Sequence, residues 1–209
     1  MIRVFVADDH LLIREGLRKV FEHNADIEVV GEACTGTEVL SCIHTIPFDI
    51  LLLDLRFPDK NGIDILLEMP CYVRKKTLVI SVYDEEVFAK RVIRCGAGGY
   101  ITKDCAPETL CAAMYKIVHG GRYISEHLAE ELAVELFARS EKAPHEILSD
   151  REFQVLLMLG YGESVGEIAA TISLSINTVN SYRHRILEKM NLHSTIELVQ
   201  YAMRHHLVE

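Results

Sequence analysis

Along the first 120 or so residues, short segments rich in apolar residues alternate with longer stretches whose apolar positions recur every three or four residues. The run Ile50 to Leu53, unbroken by any polar residue, predicts a strand buried on both faces, and the three-to-four spacing predicts amphipathic helices between the strands. The strands fall at Ile2 to Ala7, Ile27 to Ala33, Ile50 to Leu53, Thr77 to Ser81 and Gly99 to Ile101. Helices are expected from after Asp8-Asp9-His10 to about Asn24, from Thr35 to Thr45, after Gly62, from Asp84 to Arg94, and from Pro107 to His119 with Pro at the first turn. Five such units imply an α/β fold, a doubly wound five-stranded parallel sheet in flavodoxin-like order, because crossovers are short and right-handed.

The pattern then changes. Ser125 is placed to cap a helix reaching about Phe137, with Leu128, Leu132 and Leu136 on one stripe, and Arg139 to His145 reads as a polar tether. Acids at Glu126, Glu130, Glu131 and Glu135 line the other face and argue against a membrane-surface role. The remainder reads as a small all-α four-helix domain. Two of its helices open on capping boxes, Ser149 with Glu152 and Ser194 with Glu197. Val165 to Thr171, Ser173-Leu174-Ser175 and a long helix from Ile176 read as helix-turn-helix. In that long helix Ile176, Val179, Ile186 and Met190 form the expected buried stripe, opposite Asn177, Ser181, His184, Arg185 and Glu188. Amides, hydroxyls and an Arg on an exposed helix face suit base edges and phosphates in a major groove, whereas a solvated bundle face is the plain alternative. The expected domains are 1–122, a linker and tether 123–144, and 145–209.

Charge modifies this picture only locally. The chain of 209 residues carries a formal charge of -9, and each segment is mildly acidic, but Arg183, Arg185 and Lys189 crowd one helix. A basic stripe of that kind still reaches phosphate, with weak non-specific binding. No apolar run is long enough to span a bilayer, and Met1-Ile2-Arg3 leads straight into a strand, so a cytoplasmic protein is expected. The six cysteines show no metal spacing and are expected to be reduced, mostly buried thiols.

The candidate chemistry lies at the strands' carboxyl ends, where open α/β sheets bind ligands. Asp8 and Asp9 follow the first strand, Asp54 the third, Ser81 ends the fourth and Lys103 follows the fifth. Three carboxylates in one crevice repel unless a cation sits among them, and oxygen ligands with room for water favour Mg²⁺. Asp54 is the candidate nucleophile, forming an acyl phosphate with the metal offsetting charge. Pro58 and Asn61-Gly62 shape the loop that follows it. An aspartyl phosphatase would need a second acid where Arg56 stands, and a dinucleotide enzyme would need glycines where Asp8-Asp9-His10 stands.

These residues resemble the receiver domain of bacterial two-component response regulators, and the C-terminal part is similar to the LuxR-type DNA-binding domain of the NarL/FixJ class. The resemblance implies Asp54 as phosphoacceptor, Asp9 as direct and Asp8 as water-mediated metal ligand, and the carbonyl of Arg56 as a further ligand. It implies Ser81 as switch hydroxyl, Tyr100 as switch aromatic and Lys103 as the ammonium on the phosphoryl group. The chain departs in Phe57, where Met is more usual, and in Asp104, where many receivers have Pro. The stretch Thr178 to Arg183 is similar to the GacA/UvrY branch, with Asn180 and Tyr182 replacing a commoner Lys and His. By the same resemblance Asn180, Ser181 and His184 face bases, Thr178, Arg185 and Lys189 approach phosphates, Asn177 lies on the same surface, and Arg183 divides between packing and phosphate. A non-enzymatic transcription regulator follows, with a sensor histidine kinase as phosphodonor, Mg²⁺ as cofactor, double-stranded promoter DNA as target, a homodimer on activation and no membrane partner. The rival is a regulator whose receiver serves only as an interaction module and needs no phosphate. The expected dimer contact is the helix Ser194 to His206 through Leu198, Val199 and Ala202.

Overall fold

A computed structural model of the chain describes residues 1–83, 85–126, 128–130 and 143–208, with side chains of 85–87 left aside. It divides into two compact units, 1–138 and 139–209. In the first, five strands lie parallel in the order β2-β1-β3-β4-β5, as expected: β1 Ile2–Ala7, β2 Ile27–Ala33, β3 Ile50–Leu53, β4 Thr77–Ser81 and β5 Gly99–Thr102. The central strands β3 and β4 are mostly apolar because helices cover both faces; all of Ile50–Leu53 and Thr77–Ser81 is buried, including the polar Thr77 and Ser81. The helices are α1 Leu11–Glu22, α2 Gly36–Cys42, α3 Gly62–Glu68, α4 Cys71–Arg74, α5 Glu85–Arg94 and α6 Pro107–Val118.

Local chemistry sets the helix ends. Thr35 and Glu38 form a reciprocal capping box on α2, and the Asn61 side chain accepts from the Ile63 amide to start α3. A single helix was expected after Gly62, but Pro70 cannot donate a backbone hydrogen bond and Met69 is extended, so a separate turn, α4, begins at Cys71. Gly62 is required by close approach: a Cβ there would lie 2.5 Å from the carbonyl oxygen of Asp54.

The second unit contains a 3-10 turn, Pro144–Ile147, then α7 Asp150–Gly160, α8 Val165–Thr171, α9 Ile176–Met190 and α10 Thr195–Arg204. Ser149 with Glu152 closes its capping box, and so does Ser164 with Glu167, a pair of the same spacing that the sequence reading passed over. At α10 the Ser194 side chain accepts from the Glu197 amide, but Glu197 reaches one residue further back, to the amide of His193. The α8-to-α9 turn passes through Ser173 at φ 51, a left-handed conformation, and Asn191 at φ 53 ends α9.

Three expectations need correction. Ile176 is 56% exposed, although Val179, Ile186 and Met190 are buried as expected. Helical side chains lean toward the N-terminus, so at the first helical position Ile176 covers ground beyond the packed part of α9. Leu198 and Ala202 are fully buried inside the domain, against α7, and are therefore spent as core; Ile196 and Met203 are what α10 exposes. The cysteines are all free, but none is fully buried: Cys71 is exposed and the other five are partly so. Of the linker helix, the start is seen: Ser125 Oγ accepts from the Leu128 amide at 3.1 Å and Leu128 is buried. The stripe positions Leu132 and Leu136 and most of the tether lie outside the described residues, as does Asp84.

Candidate functional site

At the carboxyl edge of the sheet, β1 and β3 are neighbours, so the residues that follow them meet. Asp8 and Asp54 are buried, at 3% and 2% exposure, while Asp9 is partly open. The Lys103 ammonium lies 2.6 Å from Asp8 Oδ2 and 2.7 Å from Asp54 Oδ2, bridging both carboxylates. Asp54 Oδ1 accepts from the amide of Leu55 at 2.6 Å. Burial pushes the Asp54 carboxyl above the usual range, with the Lys103 charge opposing and Asp8 reinforcing the rise. For Lys103 burial works downward, yet the two carboxylates outweigh it and hold the ammonium above its ordinary value.

Asp8, Asp9, His10 and Asp54 each bring a ligand atom to within 4.8 Å of the others. Three carboxylates against one ammonium leave two negative charges uncompensated, which is what a divalent cation neutralises, and the oxygen-rich set suits a hard ion. His10 was not singled out from the sequence. Its Nδ1 stands 2.7 Å from Asp9 Oδ1 and 3.2 Å from Asp8 Oδ1, and its amide donates to Asp8 Oδ1 at 2.8 Å. Its place directly after two acids was the available signal.

Arg56 lies in the loop after Asp54, exposed, and pairs in an isolated bridge with Asn61. Asp59 in the same loop accepts from the amides of Gly36 and Thr37 and from the Thr37 hydroxyl, at 2.7, 2.9 and 2.7 Å. This cross-link ties the loop to the start of α2. Burial would raise the Asp59 carboxyl, but these donors outweigh it and hold it below the usual range.

Ser81 is fully buried at the end of β4, and its carbonyl accepts from the Lys103 amide at 2.7 Å. Its Oγ accepts from the amide of Tyr83 at 3.2 Å, and the Tyr100 hydroxyl donates to the carbonyl of Tyr83 at 2.6 Å. One residue, Tyr83, thus joins the two expected switch groups. Tyr100 is already fully buried.

In the second unit, α9 exposes Asn177, Ser181, His184, Arg185 and Glu188, while Thr178, Asn180 and Arg183 are half-buried. The Ser181 hydroxyl donates back to the Asn177 carbonyl at 2.9 Å, and Ser175 caps the helix through the Thr178 amide. Lys189 departs from the rest of the group. Its ammonium is 2.7 Å from Glu152 Oε2, a buried carboxylate that also accepts from the Ser149 amide and hydroxyl. Burial would raise the Glu152 carboxyl; the Lys189 and Ser149 hydrogen bonds prevail and lower it.

Residues 4–115 match the family described as "Response regulator receiver domain" and 146–202 match "Bacterial regulatory proteins, luxR family". The chain is 34% identical to the response regulator UvrY of Escherichia coli K12, over 99% of this chain and 96% of that protein. It is 35% identical to the response regulator GacA of Pseudomonas aeruginosa, over 100% of this chain and 99% of that protein. Among solved structures it is similar to RcsB of Salmonella enterica serovar Typhimurium bound to promoter P1flhDC in the presence of phosphomimetic BeF3-. There the TM-score is 0.65 at 25% identity, covering 96% of this chain and 97% of that one.

Proposed function

Because the chain belongs to the response regulators, as a receiver joined to a LuxR-type DNA-binding domain, we propose that Asp54 is its phosphoacceptor and that phosphorylation there governs binding to promoter DNA. The observation that carries this reading is the buried Asp54 carboxylate bridged to Asp8 by Lys103. A sensor histidine kinase is the phosphodonor. An oxygen of Asp54 attacks phosphorus, the P–N bond to the donor's histidine breaks, and its electron pair returns to the imidazole. Lys103 leaves the carboxylates for a phosphoryl oxygen, and the Leu55 amide holds the other Asp54 oxygen in place.

Asp8, Asp9 and Asp54, with the carbonyl of Arg56, would hold Mg²⁺, which would supply positive charge against the negative charge of the transferring group. The chain accepts a phosphoryl group as a reactant and is not an enzyme in its own right. No helix among the described residues is long and apolar enough to cross a membrane, and a cytoplasmic location accords with a kinase donor and a DNA target.

The domains are a receiver at 1–122, a linker and tether at 123–144 and the DNA-binding domain at 145–209. In the switch, a phosphoryl oxygen draws the Ser81 hydroxyl away from the Tyr83 amide, which loosens the loop whose carbonyl holds Tyr100. Tyr100 is already inside, so the change lies in the hydrogen bond that holds its hydroxyl and not in an inward turn of its ring. Moving a mostly inactive ensemble to a mostly active one requires a bias of about 5 kcal/mol.

The active form is a two-fold dimer on an inverted repeat, with α9 in the major groove. Ser181, His184 and Asn180 read bases with Asn177 beside them; Thr178 and Arg185 approach phosphates, and the half-buried Arg183 divides between packing by its stem and a phosphate contact. Lys189 reaches a phosphate only by sharing or leaving Glu152. Sedimentation and DNA titration with and without a small phosphodonor and Mg²⁺ test the account. Phosphorylation should raise the dimer fraction and the affinity for a palindromic site together; identical values in both conditions would favour a receiver that serves only as an interaction module.

A further inference from the structure

Helix α1 carries a buried cation that the phosphoryl-transfer account does not use. Arg14 lies on the stripe formed with Leu17 and Phe21, at three- and four-residue spacing, and is only 8% exposed. A Met would fill an apolar stripe without desolvating a charge, whereas a buried guanidinium needs partners that offset its burial. Those partners are specific. Nη1 donates to the main-chain carbonyl of Asp8 at 2.7 Å, and Nε donates to Glu32 Oε2 at 3.0 Å. Glu32, on β2, is held on its other oxygen by Arg18. The guanidinium fork thus spans from β2 to the end of β1, a reach that a Lys ammonium lacks.

Resting on the reading of Asp8, Asp9 and Asp54 as a divalent-cation site, we propose that Arg14 is the positioning residue that sets the two metal-binding acids of β1. The carbonyl it holds belongs to the peptide joining Asp8 to Asp9. The Asp8 amide is tied to the Ala33 carbonyl on β2 at 3.1 Å, and the Asp8 carboxylate to Lys103 and the His10 amide. With the amide side fixed, rotation of the Asp8–Asp9 peptide is the freedom that remains, and it would swing Asp9 around the crevice. Arg14 removes it.

The sign of the effect separates positioning from charge. A positive group beside three carboxylates opposes cation binding, so deleting it for electrostatic reasons alone should tighten Mg²⁺. Loss of positioning should weaken it, as loss of a group that orients metal ligands usually does, by about tenfold or more.

The experiment is calorimetric titration of the full chain with Mg²⁺ alone, without phosphodonor, on wild type, Arg14→Met, Arg14→Lys, Glu32→Gln and Arg18→Ala. Arg14→Met and Arg14→Lys should each bind Mg²⁺ about tenfold more weakly, Glu32→Gln about threefold, and Arg18→Ala within a factor of about two of wild type. At saturating Mg²⁺ the labelling rate of Arg14→Met with a small phosphodonor should return to within about twofold of wild type, which a general loss of structure would not allow. Should Arg14→Met fail to fold, as judged by circular dichroism, Arg14→Lys carries the test, because it keeps the charge and removes the fork. Unchanged or tighter Mg²⁺ binding in a folded Arg14 variant overturns the positioning role while leaving the cation site intact. A wild-type chain with no saturable Mg²⁺ binding overturns the site reading and the inference together.

Discussion

The acidic crevice, proposed for phosphoryl transfer, and the exposed face of α9, proposed for DNA, are built in opposite ways. In the crevice each charged group is held by another: Lys103 spans Asp8 and Asp54, Leu55 fixes Asp54, and His10 sits against Asp8 and Asp9. On α9, Asn177, Ser181, His184 and Arg185 point into solvent, and Ser181 bonds only to its own helix. A site that performs chemistry has to be assembled before the reactant arrives, because misplacement lowers the rate. A surface that reads DNA obtains its partners from the DNA. Substitutions in the crevice should therefore act through chemistry, and those on α9 through binding, with little effect on stability.

The largest effect is expected in the crevice. Asp54→Asn removes the nucleophile and should abolish phosphoryl labelling while the chain stays folded. Asp59→Asn should keep labelling but lower stability by about 1 kcal/mol, because Asp59 caps α2 across the loop.

The next test sets the inside of the second domain against its surface. Leu198→Ala should cost about 2–5 kcal/mol in thermal or urea unfolding, since Leu198 is fully buried. Met203→Ala, on an exposed side chain, should stay within about 0.5 kcal/mol. Equal losses would mean that the α10 surfaces are assigned the wrong way round.

On α9 itself, Arg185→Ala should weaken binding to all DNA sequences alike and lower the salt slope by about one, with an unchanged melting temperature. Lys189→Ala should invert that pattern. It leaves Glu152 buried without its cation, so the domain should lose about 1 kcal/mol of stability, and the salt slope of DNA binding should fall by less than the ~1 expected for a free phosphate contact. A Lys189→Ala domain of wild-type stability whose salt slope drops by a full unit would show that the phosphate contact outweighs the ion pair.

The smallest effect lies at the opposite edge of the sheet. Asp49 takes the Arg3 guanidinium on both oxygens, and that hydrogen bonding lowers its carboxyl from 3.8 to about 2. A depressed carboxyl contributes stability that is complete above the unfolded value and disappears as pH falls through the folded one. The difference between wild type and Asp49→Asn should be about 0.5 kcal/mol at neutral pH, the pair being solvent-screened, and fade between pH 3.8 and about 2.

The same contrast explains what could be read from the chain. The strands β1 to β4 begin and end at the expected residues; in β3, buried on both faces, the apolar run is unbroken and its chemistry starts where the run stops, at Asp54. That logic also brought Asp8, Asp9, Asp54, Ser81 and Lys103 to one edge of the sheet. Arg14 and Asp59 escaped notice since their roles depend on segments 18 and 22 or 23 positions away. An Arg standing in an apolar stripe was nonetheless a visible signal. On α9 the three-to-four spacing identified the solvent face but could not show that Lys189 is engaged by Glu152, 37 positions earlier. Leu198 and Ala202 were misassigned because an apolar stripe does not reveal whether it faces its own core or a second copy.

The most direct test of the central claim is to locate the phosphoryl group. The chain is incubated with a small-molecule phosphodonor and Mg²⁺, reduced with borohydride so that an aspartyl phosphate becomes homoserine, and mapped by mass spectrometry. Homoserine at position 54, lost when Mg²⁺ is omitted, is the expected result. Homoserine at another acid, or none at all under conditions that label a known receiver, would contradict it.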